Sequence, residues 1–241
     1  MNSSKSSIKQ AMIMAAGLGT RLRPHTHYRP KALLEYEGRP LLSHVLDRLI
    51  SAGFKKIVIN VHHFGSQVID FVKNFKAPAT ELIISDERSL LLDTGGGLLK
   101  AWQYFETSPV LIHNVDILSN IDLNKFWKES TASSIITTLA VKERPTTRPL
   151  LFDINMQLCG WKNLQTGEQI ITGRQATGYE LAFSGIYIIR PEFIPQLPGQ
   201  EVFPIMPEIL RISQTFPVKG YRHDADEWMD MGKKEIYLRN D

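Results

Sequence analysis

The chain has 241 residues and a mass of 27.4 kDa, which at roughly 150 residues per domain means one large domain or two small packed ones. Its 43% hydrophobic and 22% charged residues are those of a globular protein and exclude a disordered, collagen-like or disulfide-stapled chain. Twenty-eight basic against 25 acidic residues give a net charge of +3, and the pI near 8.9 is too weak a basic bias to point to nucleic acid.

A chain of this length buries about 70% of its unfolded surface and needs neither metal nor disulfide to fold. The single cysteine, Cys159, reads as a small core residue in a reducing compartment. Residues 1–9 read as a disordered tail without the apolar stretch of a secretory leader. No run approaches the roughly 20 apolar residues of a membrane span. The expectation is a cytoplasmic monomer or small homo-oligomer that binds neither membrane nor nucleic acid.

Along the first half, short apolar runs alternate with segments of helical period. Met12-Ile-Met-Ala-Ala16 reads as a buried strand that runs into glycine. A helix over 41–52 puts Leu42, Val45, Leu46 and Leu49 on one face, and Gly53 stops it. Strand 56–61, helix 66–75, strand 81–85, helix 96–105 and strand 109–113 follow. Apolar runs without period-two alternation are strands covered on both faces, and their alternation with helices implies parallel pairing with right-handed crossovers. The fold class is therefore α/β, a doubly wound, mostly parallel sheet.

Beyond residue 116 the pattern loosens. Segments 134–141 and 181–190 read as long strands, with turn-rich sequence over 163–178 between them. Segments 191–198 and 204–212 read as short helices opened by proline. This half is expected to extend the same sheet and to build an acceptor pocket on it. No hexapeptide repeat is present, so no β-helix extension is expected.

The first strand feeds Gly17-Leu-Gly-Thr-Arg-Leu-Arg-Pro24. In a doubly wound sheet this loop lies at the carboxyl edge, where ligands bind, and glycines let N–H groups approach an anion. The dinucleotide pattern G-x-G-x-x-G fails at Leu22, and the Gly-Lys-Ser/Thr of a P-loop is absent. What remains is a glycine loop with Arg21, Arg23 and Lys31, cations suited to a triphosphate. The plainer reading is a glycine turn with solvated cations.

Asp116 ends an apolar strand at the same edge and either holds Mg²⁺, with phosphates and waters completing its shell, or caps a turn. Asp122 reads as the N-cap of the helix after it, and Asp224 and Asp226 as turn residues. In Leu92-Asp-Thr-Gly-Gly-Gly-Leu98, three glycines before an apolar helix leave room for a flat base, with Thr94 to hydrogen-bond it. The alternative there is a helix N-terminus capped by Thr94. The seven histidines lack zinc spacing and read as structural or surface residues. Trp102, Phe105, Phe126 and Trp127 read as core. Arg144 and Arg148, in a polar hairpin or lid over 142–148, are candidate sugar-phosphate contacts.

Met14-Ala-Ala-Gly-Leu-Gly-Thr-Arg-Leu-Arg-Pro24, followed by Arg29-Pro-Lys-Ala-Leu33, resembles the signature of the sugar-1-phosphate nucleotidyltransferases. The resemblance runs through nearly the whole chain in its order of elements. It implies a Rossmann-like nucleotidyltransferase fold and the joining of a nucleoside triphosphate to a sugar 1-phosphate, with release of pyrophosphate. It implies nucleotide contacts from Ala15, Ala16, Gly17, Gly19 and Thr20, and catalytic roles for Arg21 on the β/γ phosphates and Lys31 on the α phosphate. Asn114-Val-Asp116 matches the family's metal motif, with Val115 where glycine is usual. Asp116 becomes a Mg²⁺ ligand, and Asn114 a sugar contact. Glu227-Trp-Met-Asp-Met-Gly232 resembles the Trp-x-Asp-x-Gly segment and makes Asp230 the second metal ligand.

Within that family Thr94, Gly95 and Gly96 read the base. The Thr-Gly-Gly-Gly form most resembles the short N-acetylmuramate-1-phosphate uridylyltransferases, which implies UTP. For the sugar, the nearest segments are Trp161-Lys-Asn163 and Phe183-Ser-Gly185, with Trp161 in place of a usual glutamate. Lys162 is then expected at the sugar phosphate, Gly185 along the ring and Glu180 at sugar hydroxyls. On this reading 10–241 is one domain, with a nucleotide-binding half over 10–116 and a sugar-binding half over 117–241. Guanylyl or another nucleotidyl transfer to mannose, heptose or another sugar 1-phosphate keeps the same fold. A non-catalytic nucleotide sensor is the third reading, and the presence of both Asp116 and Asp230 argues against it.

Overall fold

The strands expected in the first half all form and pair in parallel in the computed structural model, which describes residues 8–132, 134–173 and 178–233. The chain runs β1 (Gln10–Met14), a loop with 3-10 turns at Thr20–Leu22 and Lys31–Leu33, and a hairpin of β2 (Glu35–Tyr36) and β3 (Arg39–Pro40). It continues through α1 (Leu41–Ser51), β4 (Lys56–Val61), α2 (Gly65–Asn74), β5 (Glu81–Asp86), α3 (Asp93–Ala101) and β6 (Val110–Asn114). Next come β7 (Ile117–Ser119), α4 (Leu123–Thr131), β8 (Thr137–Lys142), β9 (Leu150–Phe152), β10 (Leu158–Lys162) and β11 (Gln169–Ile171). Last are β12 (Tyr179–Ile189), a 3-10 turn at Pro191–Gln196, α5 (Ile205–Ile212), β13 (Val218–Arg222) and β14 (Trp228–Asp230).

The main sheet has the order β11-β10-β9-β12-β6-β1-β4-β5, and β8 lies between β12 and β13. β1 is flanked by β4 and β6, and β5 adds to β4, all in parallel. β12 pairs antiparallel with β6, β8 and β9, so the second half does extend the same sheet, with its strands reversed. Burial on both faces follows from the alternating apolar side chains. In β1, Ala11 and Ile13 enter the core under α1, α2 and α4, while Met12 enters the one under α3 and α5. In β4, Ile57 and Ile59 face the first core and Val58 the second. Each such fully buried aliphatic side chain stabilises the fold by about 1.5–3 kcal/mol. Gly53 takes φ +83° just past α1, as a helix stop requires. Cys159 is buried, as expected, and Asp122 caps α4 by accepting from the N–H of Asn124 and Lys125, both at 2.9 Å.

Several boundaries differ from the sequence reading. β1 ends at Met14, which leaves Ala15 and Ala16 in the loop. α3 starts at Asp93 rather than at Gly96, so the triple glycine lies inside the helix. The strands β9 and β10, only three and five residues long, and the late β13 had no pattern strong enough to announce them. Of the expected tail, residues 1–7 lie outside the described residues. Lys9 already belongs to the fold: its carbonyl accepts from Lys55 N–H at 2.9 Å. Residues 174–177 of the turn-rich segment also lie outside the described residues. No helix among the described residues is long and apolar enough to cross a membrane.

Candidate active site

At the carboxyl edge of the parallel strands lies a cleft of about 490 Å³, lined by Ala15, Ala16, Gly17, Arg21, Lys31, Asn60, Asp93, Thr94, Asn114 and Asp116 among others. The loop after β1 turns at Gly19, whose φ is +63°, and Thr26 Oγ1 holds that turn by donating to Gly19 O at 2.8 Å. Gly17 faces open space, since a Cβ there would meet nothing within 4 Å. The Ala15 N–H is already used: it donates to Asn60 Oδ1 at 2.7 Å, so Ala15 lines the cleft without offering its N–H to a phosphate. Gly19 and Thr20 lie outside the lining and shape the turn that presents Arg21.

The chemistry gathers where β6 ends. β14 pairs antiparallel with β7, placing Asp230 opposite Ile117, and Met231 N–H donates to Asp116 O at 2.8 Å. Two aspartates more than a hundred residues apart thereby meet. Lys31 Nζ forms an ion pair with Asp116 Oδ2. Gly232 measures the crowding, since a Cβ at that position would stand 2.8 Å from Lys31 Nζ, 2.9 Å from Asp116 Oδ2 and 2.9 Å from Asp230 Oδ1. One ammonium and two carboxylates thus face a single point. Two carboxylates are the set that Mg²⁺ uses when phosphate and water complete its octahedron, so the residues present fit that ion.

Sequence reasoning missed the supports of this site. Asn60, at the end of β4, accepts from Ala15 N–H and donates through Nδ2 to Glu87 Oε1 at 2.8 Å. Glu87 is fully buried, and burial pushes its carboxyl pKa up against the opposing hydrogen bond from Asn60. Arg144 stacks on Trp228, with Cζ 3.9 Å from the ring centroid, and donates to Phe183 O at 2.8 Å. Burial lowers its pKa, while the charge of Asp230 works the other way. Arg144 therefore ties β14 to β12. Trp228 Nε1 donates to Ser184 O at 2.9 Å and tightens the same junction. His113 is buried, and burial drops its pKa to about 4, in keeping with a structural role. Among the described residues no group of three or more histidine, cysteine or acidic side chains could hold a metal.

The triple glycine is a packing device. Gly95 and Gly96 N–H groups both donate to Phe203 O, at 2.9 and 3.3 Å. A Cβ on Gly95 would fall 2.2 Å from the Phe203 ring, one on Gly96 2.1 Å from Glu201 O, and one on Gly97 2.8 Å from Glu87 Oε1. Gly95 and Gly96 let the segment over 201–203 close on α3, and Gly97 lets α3 approach Glu87. Their N–H groups and faces are taken by protein, which corrects the expectation that Gly95 and Gly96 carry the base. Thr94 stays in the cleft wall, its Oγ1 accepting from Ile205 N–H at 2.9 Å.

A second cavity of about 610 Å³ opens beside the cleft and shares Thr94 and Asn114 with it. Its walls include Leu150, Trp161, Ile170, Phe183, Tyr187, Ile205 and Leu210. Lys162 and Glu180 do not reach it. Trp161 pairs with Leu150 and Ile170 and faces the cavity, so Lys162, one residue on, points to the opposite face of the sheet. There it forms an ion pair with Glu180. Gly185 holds φ +75° where β12 shifts register, and a Cβ there would fall 2.8 Å from Ile117 Cγ1 and 3.0 Å from Asn114 Nδ2. It lets β12 pack behind Asn114 and does not line the cavity.

Residues 11–172 match the family described as MobA-like NTP transferase domain. The chain is 30% identical to an N-acetylmuramate alpha-1-phosphate uridylyltransferase of Caulobacter vibrioides, the alignment covering 95% of this chain and 94% of that protein. It is 33% identical to the enzyme of the same name from Neisseria meningitidis serogroup B, covering 92% and 93%. A putative mannose-1-phosphate guanyltransferase of Sulfolobus acidocaldarius is 28% identical over 95% of this chain, which spans only 61% of that relative. Among solved structures, HddC from Yersinia pseudotuberculosis superposes with a TM-score of 0.77 at 22% identity, covering 96% and 97% of the two chains, a likeness of fold. With the glycine loop at the edge of a parallel sheet and two cavities side by side, the chain belongs to the MobA-like NTP transferase family and is a sugar-1-phosphate nucleotidyltransferase.

Proposed function

We propose that this enzyme transfers UMP from UTP to N-acetylmuramate 1-phosphate and releases pyrophosphate, with the nucleotide in the cleft and the sugar in the adjoining cavity. The observation that carries the reading is the convergence of Lys31, Asp116 and Asp230 on one point at the cleft, which adjoins the second cavity through Thr94 and Asn114. The choice of uridylyl and muramyl substrates rests on relatives that match the chain nearly end to end, whereas the guanyltransferase relative is much longer.

The main barrier is electrostatic, because a phosphate oxyanion must approach an α-phosphorus surrounded by negative oxygens. Asp116 and Asp230 would hold Mg²⁺, which when bound would neutralise part of the phosphate charge at this point. Arg21, which has no ion pair among the described residues, is placed to fork onto the β and γ phosphates of the leaving pyrophosphate. Lys31 leaves its pairing with Asp116 to follow the charge that develops on the α-phosphate. Gly17 keeps one wall open for the phosphate chain, and Thr94 and Asp93 border the nucleotide on the other. No general base is required, since the nucleophile is already ionised.

The test is pyrophosphate release with Mg²⁺, pairing UTP, GTP, CTP and dTTP with 1-phosphates of N-acetylmuramate, N-acetylglucosamine, glucose, mannose and heptose. The expected result is turnover with UTP and the muramyl sugar at least tenfold above any other pair. A preference for GTP with mannose or heptose 1-phosphate keeps the reaction and overturns the substrates, and nucleotide binding without turnover overturns the reaction itself.

A further inference from the structure

Glu87 is a buried ionisable group that the reaction as described does not use. It lies just past β5, fully shielded from water, and its Oε1 accepts from Asn60 Nδ2 at 2.8 Å. Burying a carboxylate is costly, and an apolar side chain of the same volume stabilises a fold at least as well. Stability alone does not account for a carboxylate here.

What Glu87 orients is Asn60, whose side chain lines the cleft. An amide can turn either its oxygen or its NH2 group towards the Ala15 N–H, and only the oxygen accepts. Glu87 Oε1 takes the NH2 end, which leaves Asn60 Oδ1 facing the Ala15 N–H at 2.7 Å. Asn60 is itself buried, so without Glu87 its NH2 group would be a donor with no acceptor, relieved by turning the amide away. Ala15 opens the loop that carries Gly17 and Arg21, so a lock on its N–H is a lock on the wall that faces the phosphates.

Two further elements close on the same carboxyl. The Glu87 N–H donates to Val61 O at 2.8 Å, and its carbonyl accepts from Leu90 N–H at 3.0 Å, which fixes the start of the loop leading to Asp93 and Thr94 on the facing wall. From α3, a Cβ on Gly97 would fall 2.8 Å from Glu87 Oε1 and 3.0 Å from Asn60 Nδ2. Burial pushes the Glu87 pKa up, while Asn60, the Leu92 N–H, Lys100 of α3 and His62 after β4 work the other way.

We propose that Glu87 is a positioning residue for the nucleotide: acting through Asn60, it holds the loop after β1 in its binding shape before the nucleotide arrives. Such preorganisation is read as affinity. The proposal rests on the nucleotide occupying the cleft, whichever base it carries.

Affinities for UTP and GTP with Mg²⁺ are measured by calorimetric titration for the wild type, Glu87→Leu, Glu87→Gln, Asn60→Ala, the double variant E87L/N60A and Gly97→Ala. KM for N-acetylmuramate 1-phosphate is measured beside them. Glu87→Leu keeps the volume and removes the acceptor, and is expected to weaken nucleotide binding about tenfold without moving the acceptor KM. Glu87→Gln, whose side-chain oxygen still accepts from Asn60, is expected to bind nucleotide close to the wild-type level. The double variant is expected to bind no more weakly than the weaker single variant, because the two residues act as one unit. Gly97→Ala presses on the same hydrogen bond from α3 and is expected to weaken nucleotide binding with no charge altered, which keeps the test decisive should Glu87→Leu not fold. Wild-type nucleotide affinity in Glu87→Leu or in Gly97→Ala overturns the proposal, as does a double variant whose loss is the product of the single losses. A wild type that binds neither nucleotide overturns the reading of the cleft itself.

Discussion

The two cavities share Thr94 and Asn114 but are made of different material. The cleft is built from a backbone loop, strand ends and charged side chains; the cavity beside it is built mainly from apolar side chains on antiparallel strands and α5, with Thr146, Arg148 and Glu168 among its other lining residues. The cleft is supported by parallel strands buried on both faces, whose ends cannot move without disturbing both cores. The other is walled in part by short strands at the sheet margin, β9, β10 and β11, where a side chain changes without disturbing the fold. Reaction and acceptor choice are therefore separable in this molecule, and each can be broken alone.

The largest effect belongs to the cleft. Asp116→Asn or Asp230→Asn is expected to lower kcat by about 10²–10³-fold with a cooperative thermal transition retained, as read by pyrophosphate release and calorimetry. Next is Gly232→Ala. Its Cβ falls 2.8 Å from Lys31 Nζ and 2.9 Å from both carboxylates, and the displaced groups are expected to cost up to about a hundredfold in kcat, with a small change in melting temperature. Gly96→Ala distinguishes packing from catalysis. A Cβ 2.1 Å from Glu201 O overpacks the contact and is expected to cost about 1–3 kcal/mol of stability, measured by denaturant unfolding.

The smallest effect is a pH slope. Burial holds His113 at about 4, below its ordinary 6.5. As pH falls from 6.5 toward 4 the unfolded chain takes up the proton first, so stability declines across that window and is full above it. The unfolding midpoint measured from pH 7 to 4.5 is expected to fall less steeply in His113→Asn than in the wild type.

The first half was legible because its signals are local. An apolar run followed by a helical period names a parallel βα unit, and Leu42, Val45, Leu46 and Leu49 of α1 are all buried as that period requires. The long-range steps were not legible. Asp230 reaches Asp116 through the pairing of β14 with β7, two three-residue strands whose partnership no periodicity shows. Asp230 was identified by resemblance, and Gly232 stood in the same quoted segment with its crowding unread. Lys162 and Glu180 show the opposite failure, since they look like ligands in sequence and turn away because Trp161 takes the inward position of β10. Gly95 and Gly96 look like a base platform, and the segment that fills their faces lies a hundred residues on, at Glu201 and Phe203. Asn60, next to last in β4, and Glu87, just past β5, gave no signal of the bond that holds Ala15.

The central claim is that Asp116 and Asp230 serve one ion at one point. It is tested most directly by pyrophosphate release from UTP and N-acetylmuramate 1-phosphate across a Mg²⁺ titration, comparing the wild type, D116N, D230N and the double variant. If both carboxylates hold the same ion, the double variant falls no further than the worse single variant, since residues that act as a unit are not additive. Activity near wild type in the double variant, or a loss equal to the product of the two single losses, would contradict the shared site.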